Sequence, residues 1–409
     1  MVEALAIVVP VFNGAADVAR CLASLARHRP AGSTIVVVDD ASTDPAIATL
    51  LAGFARENAD VHLISAPENR GFIASANAGA AAAPQGADIL FLNSDTEVTE
   101  GWHAEMAFAL DAEPGAAVCC PLSNNATYLS VPKYQQPNEL PPGWTADRMA
   151  ALVRGCAGGF RSLAVPTPVG FCMLVRRETW ERVGPFDHAF DAGYGEDDDF
   201  GQRVQAAGRT IACAPRAYVY HRGGSSFASM PQLTERRAAN AQLLASRWPR
   251  YSATTRAWCQ SNPLRPLHEI LWQALLAPSP RAVHVLHVVD RWEVSGPLRA
   301  HLLEIARASA DFALHTVVVP MPDRGAWLDA IDFEAGPGLR VVGLVDFDDR
   351  FEKFLAASPA NVVHFHAPET WMPESHVEMA RRARAVLTTP MNPDPARCAQ
   401  AYRRVPAGA

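Results

Sequence analysis

The sequence predicts an α/β fold with a parallel sheet covered by helices on both faces. Three observations support this prediction: short, continuously apolar runs, amphipathic segments between them, and polar residues directly after several of the runs. Continuous apolar strands are typical of sheets that are buried on both faces, and helices usually connect the strands of a parallel sheet.

The first hundred residues alternate between strand-like and helix-like patterns. Aliphatic and β-branched residues run together in the predicted strands 6–12, 34–38, 61–64 and 88–92. Between these strands, apolar residues recur at helical spacing, as Val18, Cys21 and Leu25 do, and again over 47–54 and after Gly71. This alternation predicts successive strand–helix units that build one sheet.

The chain after residue 130 is less regular. Prolines and glycines are frequent at 134–168, which predicts a long loop around a short helix at 146–153. An ordered block is predicted at 169–227, then a helix at 232–248 and a connector to about residue 280. From there the α/β pattern returns, with predicted strands at 283–289, 314–319, 340–344, 361–366 and 385–388, and a helix at 298–308 after the turn Ser295-Gly296-Pro297.

The composition argues against several classes of protein. The 409 residues carry 36 Lys and Arg against 43 Asp and Glu, a net charge of −7, whereas nucleic-acid binders normally present a basic face. No run approaches the roughly 20 apolar residues that span a bilayer, and the N-terminus lacks the pattern of a signal peptide. The eight cysteines have no C-x-x-C spacing, which disfavours zinc-ribbon and thioredoxin-like sites.

Polar side chains follow three of the predicted strands. Asn13 comes after the first strand, Asp39 and Asp40 after the second, and Asp95 after the fourth. Ligands of open α/β sheets bind in the crevice beyond the carboxyl ends of the strands. We therefore expect a ligand site where these residues converge.

The densest cluster of charge is the sequence Gly-Tyr-Gly-Glu-Asp-Asp-Asp-Phe at 193–200, preceded by Asp187 and Asp191. Adjacent acids repel one another unless water, a cation or a basic group compensates them. Arg203 lies four residues after Asp199 and can pair with it on a helix. One of the remaining carboxylates is then free to act as a catalytic base.

The sequence Asn93-Ser94-Asp95 is a candidate site for Mg²⁺ or Mn²⁺, because hard cations prefer oxygen ligands. His221 follows a strand-like run at 217–220 and is a candidate second ligand. A lone histidine is more often an ordinary hydrogen-bonded residue.

The sequence lacks motifs that several other classes of enzyme require. A phosphatase with an aspartate nucleophile would need a carboxylate at position 93, where the chain has an asparagine. No G-x-G-x-x-G for a dinucleotide follows the first strand, and no P-loop is present. A nucleotidyltransferase would need a basic, Gly-rich phosphate loop after the first strand, which is also missing.

Taken in order, these segments resemble the family 2 glycosyltransferases with the GT-A fold. The resemblance covers about 4–230 and is carried by IVVPVFN at 7–13, VDDASTD at 38–44, ENRGF at 68–72, FLNSDTEV at 91–98, GFCM at 170–173, GPFD at 184–187, GEDDDF at 195–200, and His221. The Asn-Ser-Asp sequence at 93–95, in place of Asp-x-Asp, is similar to the rhamnosyltransferase-like subgroup.

The resemblance implies a role for each matched residue. Asp40 would hydrogen-bond the nucleobase of the donor, Asp95 and His221 would bind Mn²⁺ or Mg²⁺, and Asp197, paired with Glu196, would be the catalytic base. Asp198 and Asp199 are alternative positions for that base. The donor-binding residues would be Pro10, Phe12, Asn13, Asp40, Asn69, Arg70, Gly71, Asn93 and Ser94.

The C-terminal part resembles the start of a family 4 glycosyltransferase with the GT-B fold. The resemblance lies in VHVLHVV at 283–289, the Ser295-Gly296 loop, and VVHFH at 362–366. It implies three parts: a GT-A domain at 1–245, a helical, Pro-containing connector at 246–280, and a partial GT-B-like Rossmann unit at 281–409. We expect this last part to be a truncated or degenerate acceptor-side module without transferase activity of its own.

The function implied is a bacterial, metal-dependent, inverting glycosyltransferase of polysaccharide biosynthesis. It would move a hexose or deoxyhexose from a nucleotide-diphosphate donor to a hydroxyl of a glycan or lipid-linked acceptor, which we expect to meet the 134–168 loop. The expected location is the cytoplasm, with peripheral association at the inner face of the membrane. The alternative is a non-catalytic scaffold that binds nucleotide sugars or glycans in a polysaccharide assembly complex.

Overall fold

The computed structural model describes residues 4–190, 194–223, 233–276, 283–292, 297–320, 332–336, 339–344, 347–358, 360–389 and 394–405. The chain divides into two compact units, one formed by 1–131 with 135–258 and the other by 132–134 with 259–409. The boundaries at 245 and 280 that the sequence suggests stay a prediction. Asp191, Gly193, Ser295 and Gly296 lie outside the described residues.

Strands and helices alternate through the first part of the chain. In order they are β1 (Leu5–Val11), α1 (Ala15–His28), β2 (Thr34–Asp39), α2 (Pro45–Glu57), β3 (Val61–Ser65), α3 (Gly71–Ala82), β4 (Asp88–Leu92), β5 (Thr96–Glu97), α4 (Trp102–Ala112), β6 (Ala116–Leu122), α5 (Ala146–Cys156), β7 (Leu163–Ala164), β8 (Cys172–Val175), α6 (Arg177–Val183), α7 (Glu196–Ala206), β9 (Thr210–Tyr218), β10 (Tyr220–His221), α8 (Leu233–Arg247) and α9 (Tyr251–Ser261).

The main sheet of the first unit has eight strands in the order β3-β2-β1-β4-β8-β6-β9-β7. β1 to β4 are parallel, as the sequence predicts. The sheet as a whole is mixed, because β8 lies antiparallel between β4 and β6 and β7 is antiparallel to β9. Coverage of both faces also fails at the edge strand β3, where Leu63 is 37% exposed.

The helices form where the sequence pattern predicts them. In α1 the buried residues Val18, Cys21, Leu22 and Leu25 form the stripe that packs into the core. Asp44 caps α2 through the amide of Ala46, and Pro45 occupies its first turn, where a missing N–H costs nothing. The helix predicted at 146–153 is α5, which continues to Cys156.

The second unit repeats the α/β arrangement. After α10 (Arg265–Leu276) its elements are β11 (Val283–Val288), α11 (Pro297–Ala308), β12 (Ala313–Pro320), β13 (Asp332–Gly336), β14 (Leu339–Leu344), α12 (Phe347–Ala357), β15 (Val362–His366), α13 (Glu374–Ala383), β16 (Ala385–Thr389) and α14 (Pro395–Arg403).

The sheet of this unit has the order β13-β14-β12-β11-β15-β16, and every pair is parallel except β13 with β14. The five predicted strands are present as β11, β12, β14, β15 and β16. β13 and the helices α12 to α14 were not predicted. In the part of the chain that the structure describes, no helix has the length and apolar character of a membrane span.

Candidate functional site

A cavity opens in the first unit beyond the carboxyl ends of β1, β2 and β4. With the open solvent inside it counted, the cavity holds about 860 Å³ of empty space. Its wall is formed by Pro10, Val11, Phe12, Asp40, Asn69, Gly71, Phe72, Ser75, Asn93, Ser94, Asp95, Tyr194 and His221. The crevice that the sequence predicts is therefore present.

Asp40 joins two of the loops at this edge of the sheet. Its backbone N–H donates to the carbonyl of Val11, and its carboxylate accepts the amides of Arg70 at 2.9 Å and Gly71 at 2.8 Å. These amides belong to the N-terminus of α3, where the helix dipole favours a negative charge. Both oxygens of Asp40 thus hold the 69–71 loop on the wall of the cavity.

Asn13 organises the loop after β2. With a φ of 58°, it places its side-chain oxygen 2.8 Å from the amide of Thr43 and 3.0 Å from that of Asp44, and its own N–H donates to Ser42 Oγ. Asparagine tolerates this left-handed conformation better than most residues. The side chain supports the cavity from behind and does not line it.

Asp95 and His221 face each other across a short strand pair. β5 and β10 are antiparallel, with His221 opposite Thr96, and the amide of Arg222 donates to the carbonyl of Asp95. His221 Nε2 lies 3.4 Å from Asp95 Oδ1. Residues 126 positions apart are thus brought together by main-chain hydrogen bonds, and both line the cavity.

Three neighbours fix the ring of His221. Its Nδ1 lies 2.7 Å from the carbonyl of Asn125, its backbone is held by the side-chain amide of Asn124, and Phe171 stacks on it at 5.0 Å. A carbonyl only accepts, so Nδ1 carries the hydrogen and Nε2 directs a lone pair towards Asp95 in the neutral ring. Burial lowers the pKa of His221, but the protonated ring can donate from Nε2 to the Asp95 carboxylate, and this hydrogen bond with the charge of Asp95 outweighs burial and raises the pKa overall.

The acidic cluster begins helix α7. All four acids, Glu196 to Asp199, lie in its first turn, where the positive end of the helix dipole favours them. Gly195 precedes the helix with a φ of 109° and lies against the ring of Phe190, where a side chain would be strained. The backbone turn before the acids thus depends on glycine.

Asp197 is tied to the segment that carries Phe171. Its Oδ2 accepts the amide of Gly170 at 2.8 Å and its Oδ1 that of Asp198 at 2.9 Å. A β-carbon at Gly170 would lie 3.0 Å from Oδ2, so an alanine there would require the Asp197 carboxylate to shift. Burial raises the pKa of Asp197, and these amide hydrogen bonds offset part of the increase.

Burial raises the pKa of the two neighbouring carboxyls, Glu196 and Asp198, as well. Glu196 Oε2 is buried and has no hydrogen-bond partner among the described residues, and burial with the charge of Asp197 raises the pKa of Glu196 well above its usual value. Asp198 accepts the hydroxyl of Thr167 at 2.7 Å. Burial, followed by the charge of Asp197, raises the pKa of Asp198 to about 7.

Both carboxylate oxygens of Asp199 are engaged by neighbouring side chains. Arg203 Nε lies 2.9 Å from Oδ2, and Arg247 Nη1 and Trp248 Nε1 lie 3.3 and 2.9 Å from Oδ1. The predicted pairing of Asp199 with Arg203 is confirmed. Because its oxygens are engaged in this way, Asp199 anchors α7 and α8.

The structure brings most of the predicted site residues to one cavity. On its wall are Pro10, Phe12, Asp40, Asn69, Gly71, Asn93, Ser94, Asp95 and His221; Asn13, Arg70, Glu196 and Asp197 are not on it. The side chain of Arg70 instead pairs with Glu68 at the surface. Sequence reasoning missed Tyr194, Asn124 and Asn125, although Asn124 and Asn125 follow β6 at the same edge of the sheet.

Comparisons with known proteins match the part of the chain that forms most of this cavity. A family model described as "Glycosyl transferase family 2" matches residues 6–182. The O-antigen biosynthesis protein RfbC of Myxococcus xanthus is 26% identical over 194 residues, which are 47% of this chain and 14% of that protein. The match thus spans a small part of the relative's length.

Two solved structures are more distantly similar. A structure of GalNAc-T7 with UDP, GalNAc and Mn²⁺ has a TM-score of 0.48 and 16% identity, covering 66% of this chain and 53% of that one. The mannosyltransferase PcManGT from Pyrobaculum calidifontis, in complex with GDP-Man and Mn²⁺, has a TM-score of 0.44 and 18% identity, covering 67% and 74%.

The family match falls on the mixed sheet and on the strand ends that form the cavity. It covers β1 to β8 and includes Asp40, Asn69 and Asp95. The predicted fold class is confirmed: an α/β protein with a GT-A domain followed by a second α/β unit. Over residues 6–182 the chain is thus similar to the family 2 glycosyltransferases.

Proposed function

We propose that the first unit transfers a sugar from a nucleotide-diphosphate donor to a hydroxyl of a glycan or lipid-linked acceptor in polysaccharide biosynthesis, with inversion at the anomeric carbon. The family match and the name of the RfbC relative support the class of reaction. The observation that carries the proposal is the pair Asp95 and His221, facing each other in a cavity at the strand ends.

The nucleotide would lie against Pro10 and Phe12, at the end of β1. Each carboxylate oxygen of Asp40 accepts one backbone amide at the start of α3. The remaining lone pairs of these oxygens can accept N–H groups of a nucleobase. The positive end of α3, at Gly71, would favour the diphosphate. Asn69, Asn93 and Ser94 supply further polar groups on the same wall.

The donor set of Asp95 and His221 fits a divalent metal ion. A metal-bound histidine typically donates its other ring N–H to a fixed acceptor, as His221 Nδ1 does to Asn125. A carboxylate oxygen with an imidazole nitrogen suits Mn²⁺ better than Mg²⁺, which prefers oxygen ligands alone. When bound, the metal would offset negative charge on the leaving diphosphate.

Asp197 would take the proton of the acceptor hydroxyl as it attacks the anomeric carbon. The Gly170 and Asp198 amides hold its carboxylate in one orientation, and burial raises its pKa, which improves it as a base. A single displacement, in which the diphosphate leaves from the face opposite the attack, inverts the anomeric carbon.

The base assignment is tested with Asp197→Asn. Donor hydrolysis uses water in place of the acceptor hydroxyl, so it needs no knowledge of the acceptor. We expect the variant to hydrolyse the nucleotide sugar about a hundredfold to ten-thousandfold more slowly, with nucleoside-diphosphate affinity nearly unchanged in calorimetry. Asp111→Asn, at an exposed carboxylate on α4, is the matched control. Wild-type turnover in Asp197→Asn would show that the base lies elsewhere.

The metal assignment is tested with Asp95→Ala. We expect the variant to lose the increase in nucleotide affinity that Mn²⁺ gives the wild-type chain, because His221 without the Asp95 carboxylate binds the ion poorly. Calorimetric titrations of UDP and GDP with and without Mn²⁺ measure this effect. An unchanged Mn²⁺ dependence would remove Asp95 from the site.

The donor is expected to carry a hexose or deoxyhexose, rhamnose being suggested by Asn93-Ser94-Asp95. A thermal-shift screen of nucleotide sugars with Mn²⁺ or Mg²⁺ identifies it. If the best ligand binds but is neither hydrolysed nor transferred, the non-catalytic scaffold is the correct function. The GT-B-like character of the second unit also stays a prediction.

A further inference from the structure

Three buried histidines meet on one face of the sheet in the second unit. His287 on β11 lies opposite His364 on the neighbouring strand β15, and His366 follows two residues later on the same face. All three are at most 1% exposed. One ring nitrogen of each can be chosen so that the three atoms lie within 4.8 Å of one another.

A chain of hydrogen bonds determines which nitrogen of His287 is available. Ser309 donates its hydroxyl hydrogen to the carbonyl of Ile305, so its oxygen accepts from His315 Nε2, 2.7 Å away. His315 Nδ1 must then accept from His287 Nε2 at 2.8 Å. In the neutral network His287 Nδ1 therefore bears a lone pair, and it lies 3.0 Å from His366 Nε2.

The hydrogen bonding of His287 is that of a histidine that binds a metal ion. Such a residue binds the ion through one nitrogen and donates the other N–H to a fixed acceptor, which orients the ring and keeps the ligating nitrogen unprotonated. His315 is that acceptor for His287, and Ser309 in turn fixes His315.

The hydrogen bonding of the cluster is incomplete. His366 Nδ1 and His301 Nε2 are buried atoms without a hydrogen-bond partner among the described residues. His301 lies on α11, is only partly buried, and its charge acts on the three core histidines. The His301 imidazole is thus near enough to the three core histidines to interact with them electrostatically.

His364 is the ligand that must change partners. Its Nδ1 lies 2.5 Å from the Tyr402 hydroxyl and its Nε2 2.6 Å from Thr389 Oγ1, and its ring stacks on that of His366 at 4.0 Å. Ligation through Nδ1 would require the ring to tilt and to exchange its hydrogen bond to Tyr402 for a metal bond. Removal of the phenol should therefore favour binding.

We propose that His287, His364 and His366 form a binding site for a divalent transition metal of the Zn²⁺ type, with His301 as an additional ligand. An imidazole-only set suits Zn²⁺, Co²⁺, Ni²⁺ or Cu²⁺, in contrast to the carboxylate-bearing pair of the first unit. Three histidines leave a fourth position for His301 or water.

The test uses the full chain as Asp95→Ala, so that the proposed metal site of the first unit does not contribute. The chain is freed of metal with a chelator, then titrated with Co²⁺ while its visible absorption is recorded, and Zn²⁺ is added by equilibrium dialysis. We expect one equivalent to bind, a Co²⁺ spectrum of four-coordinate nitrogen ligation, and displacement by Zn²⁺. No bound ion at a protein concentration of about 50 µM would overturn the proposal.

Substitutions locate the site. His287→Gln and His366→Gln should each weaken Zn²⁺ binding by at least about a hundredfold, and His301→Gln by about tenfold, as ligands and supporting residues do. Tyr402→Phe should bind as tightly as the parent or more tightly. His284→Gln is the matched control, since His284 is a buried histidine of β11 bonded to Thr316 outside the cluster.

Folding is followed in every variant by thermal melting with and without Zn²⁺. We expect Zn²⁺ to raise the melting temperature of the parent and of His284→Gln, but not of His287→Gln. If a core variant is unfolded, His301→Gln on the partly exposed helix still decides the matter. Zn²⁺ affinity that is equal in His301→Gln and the parent, or weaker in Tyr402→Phe than in the parent, would also overturn the proposal.

Discussion

Two buried clusters of titratable side chains, one in each unit, respond to burial in opposite directions. At the start of α7, burial raises the pKa of Glu196 and Asp198. In the sheet of the second unit, burial lowers the pKa of His284, His315 and His366 to about 3. Loss of water disfavours the charged form in both cases, and that form is the deprotonated acid or the protonated histidine.

The same desolvation therefore gives these two clusters opposite contributions to the pH dependence of stability. A carboxyl with a raised pKa stabilises the fold most at low pH, and this contribution is lost as the pH rises through its folded-state value. For Asp198 the interval runs from its usual 3.8 to about 7. For a histidine at about 3 the contribution is complete above its usual 6.5 and is lost as the pH falls towards 3.

The largest expected effect is a loss of stability in the second unit on acidification. From pH 7 to pH 5, each buried histidine of this type should cost about 2 kcal/mol of unfolding free energy, whereas Asp198 should contribute about 2 kcal/mol of the opposite sign. Hydrogen exchange of the metal-free chain, corrected for intrinsic rates, measures the two units separately. Amides of β11, β12 and β15 should lose protection at pH 5 and those of α7 should not. Equal losses in both would contradict the comparison.

A smaller effect is expected from His284→Leu. The histidine has only the Thr316 hydroxyl as a partner for one ring nitrogen, and its other nitrogen is buried without one among the described residues. Leucine cannot be protonated, so the acid sensitivity of the second unit should fall by about 2 kcal/mol between pH 7 and pH 5. At pH 7 the variant should lose about 1 kcal/mol with the hydrogen bond. The measurement is denaturant unfolding at both pH values, with His62→Leu on β3 as a control. If the unfolding free energy changes between pH 7 and pH 5 as much in His284→Leu as in the parent, His284 is protonated in the native state at pH 5.

The smallest effect is expected from Thr167→Val on the acidic side. The Thr167 hydroxyl donates to Asp198 and stabilises its charged form, so its loss should raise the pKa of Asp198 further. Stability should fall by about 1 kcal/mol at pH 8 and by less at pH 5. Carbon NMR titration of the aspartates reports the pKa, and Thr34→Val on β2 is the control. A pKa that falls would show that the hydroxyl does not donate to Asp198.

Local sequence patterns predicted much of the fold and part of the site. β1 to β4 lie within a few residues of their predicted bounds, and α1 to α3 contain the segments predicted to be helical, because each depends on periodicity over a short window. Asp199 and Arg203 were predicted as a pair since four residues on a helix place them together. Asp40 and Asp95 were found because parallel strands end at one edge.

Long-range pairing could not be predicted in the same way. The position of β8, antiparallel between β4 and β6, depends on which strand edges remain after the first four have paired. β8 follows Phe171, whose ring packs on His221 and whose carbonyl accepts the amide of Asn93. No spacing in the sequence indicates these contacts.

By itself, then, the sequence determined the alternating α/β architecture, the acids at the start of α7 and the polar residues at the strand ends. Tertiary structure alone decided that both oxygens of Asp40 hold α3, that His221 faces Asp95, and that His287 meets His364 and His366. The physical reason is the sequence separation over which each interaction acts. Periodicity and capping depend on residues a few positions apart, whereas strand register joins residues about 80 to 130 positions apart and determines their exposure to solvent.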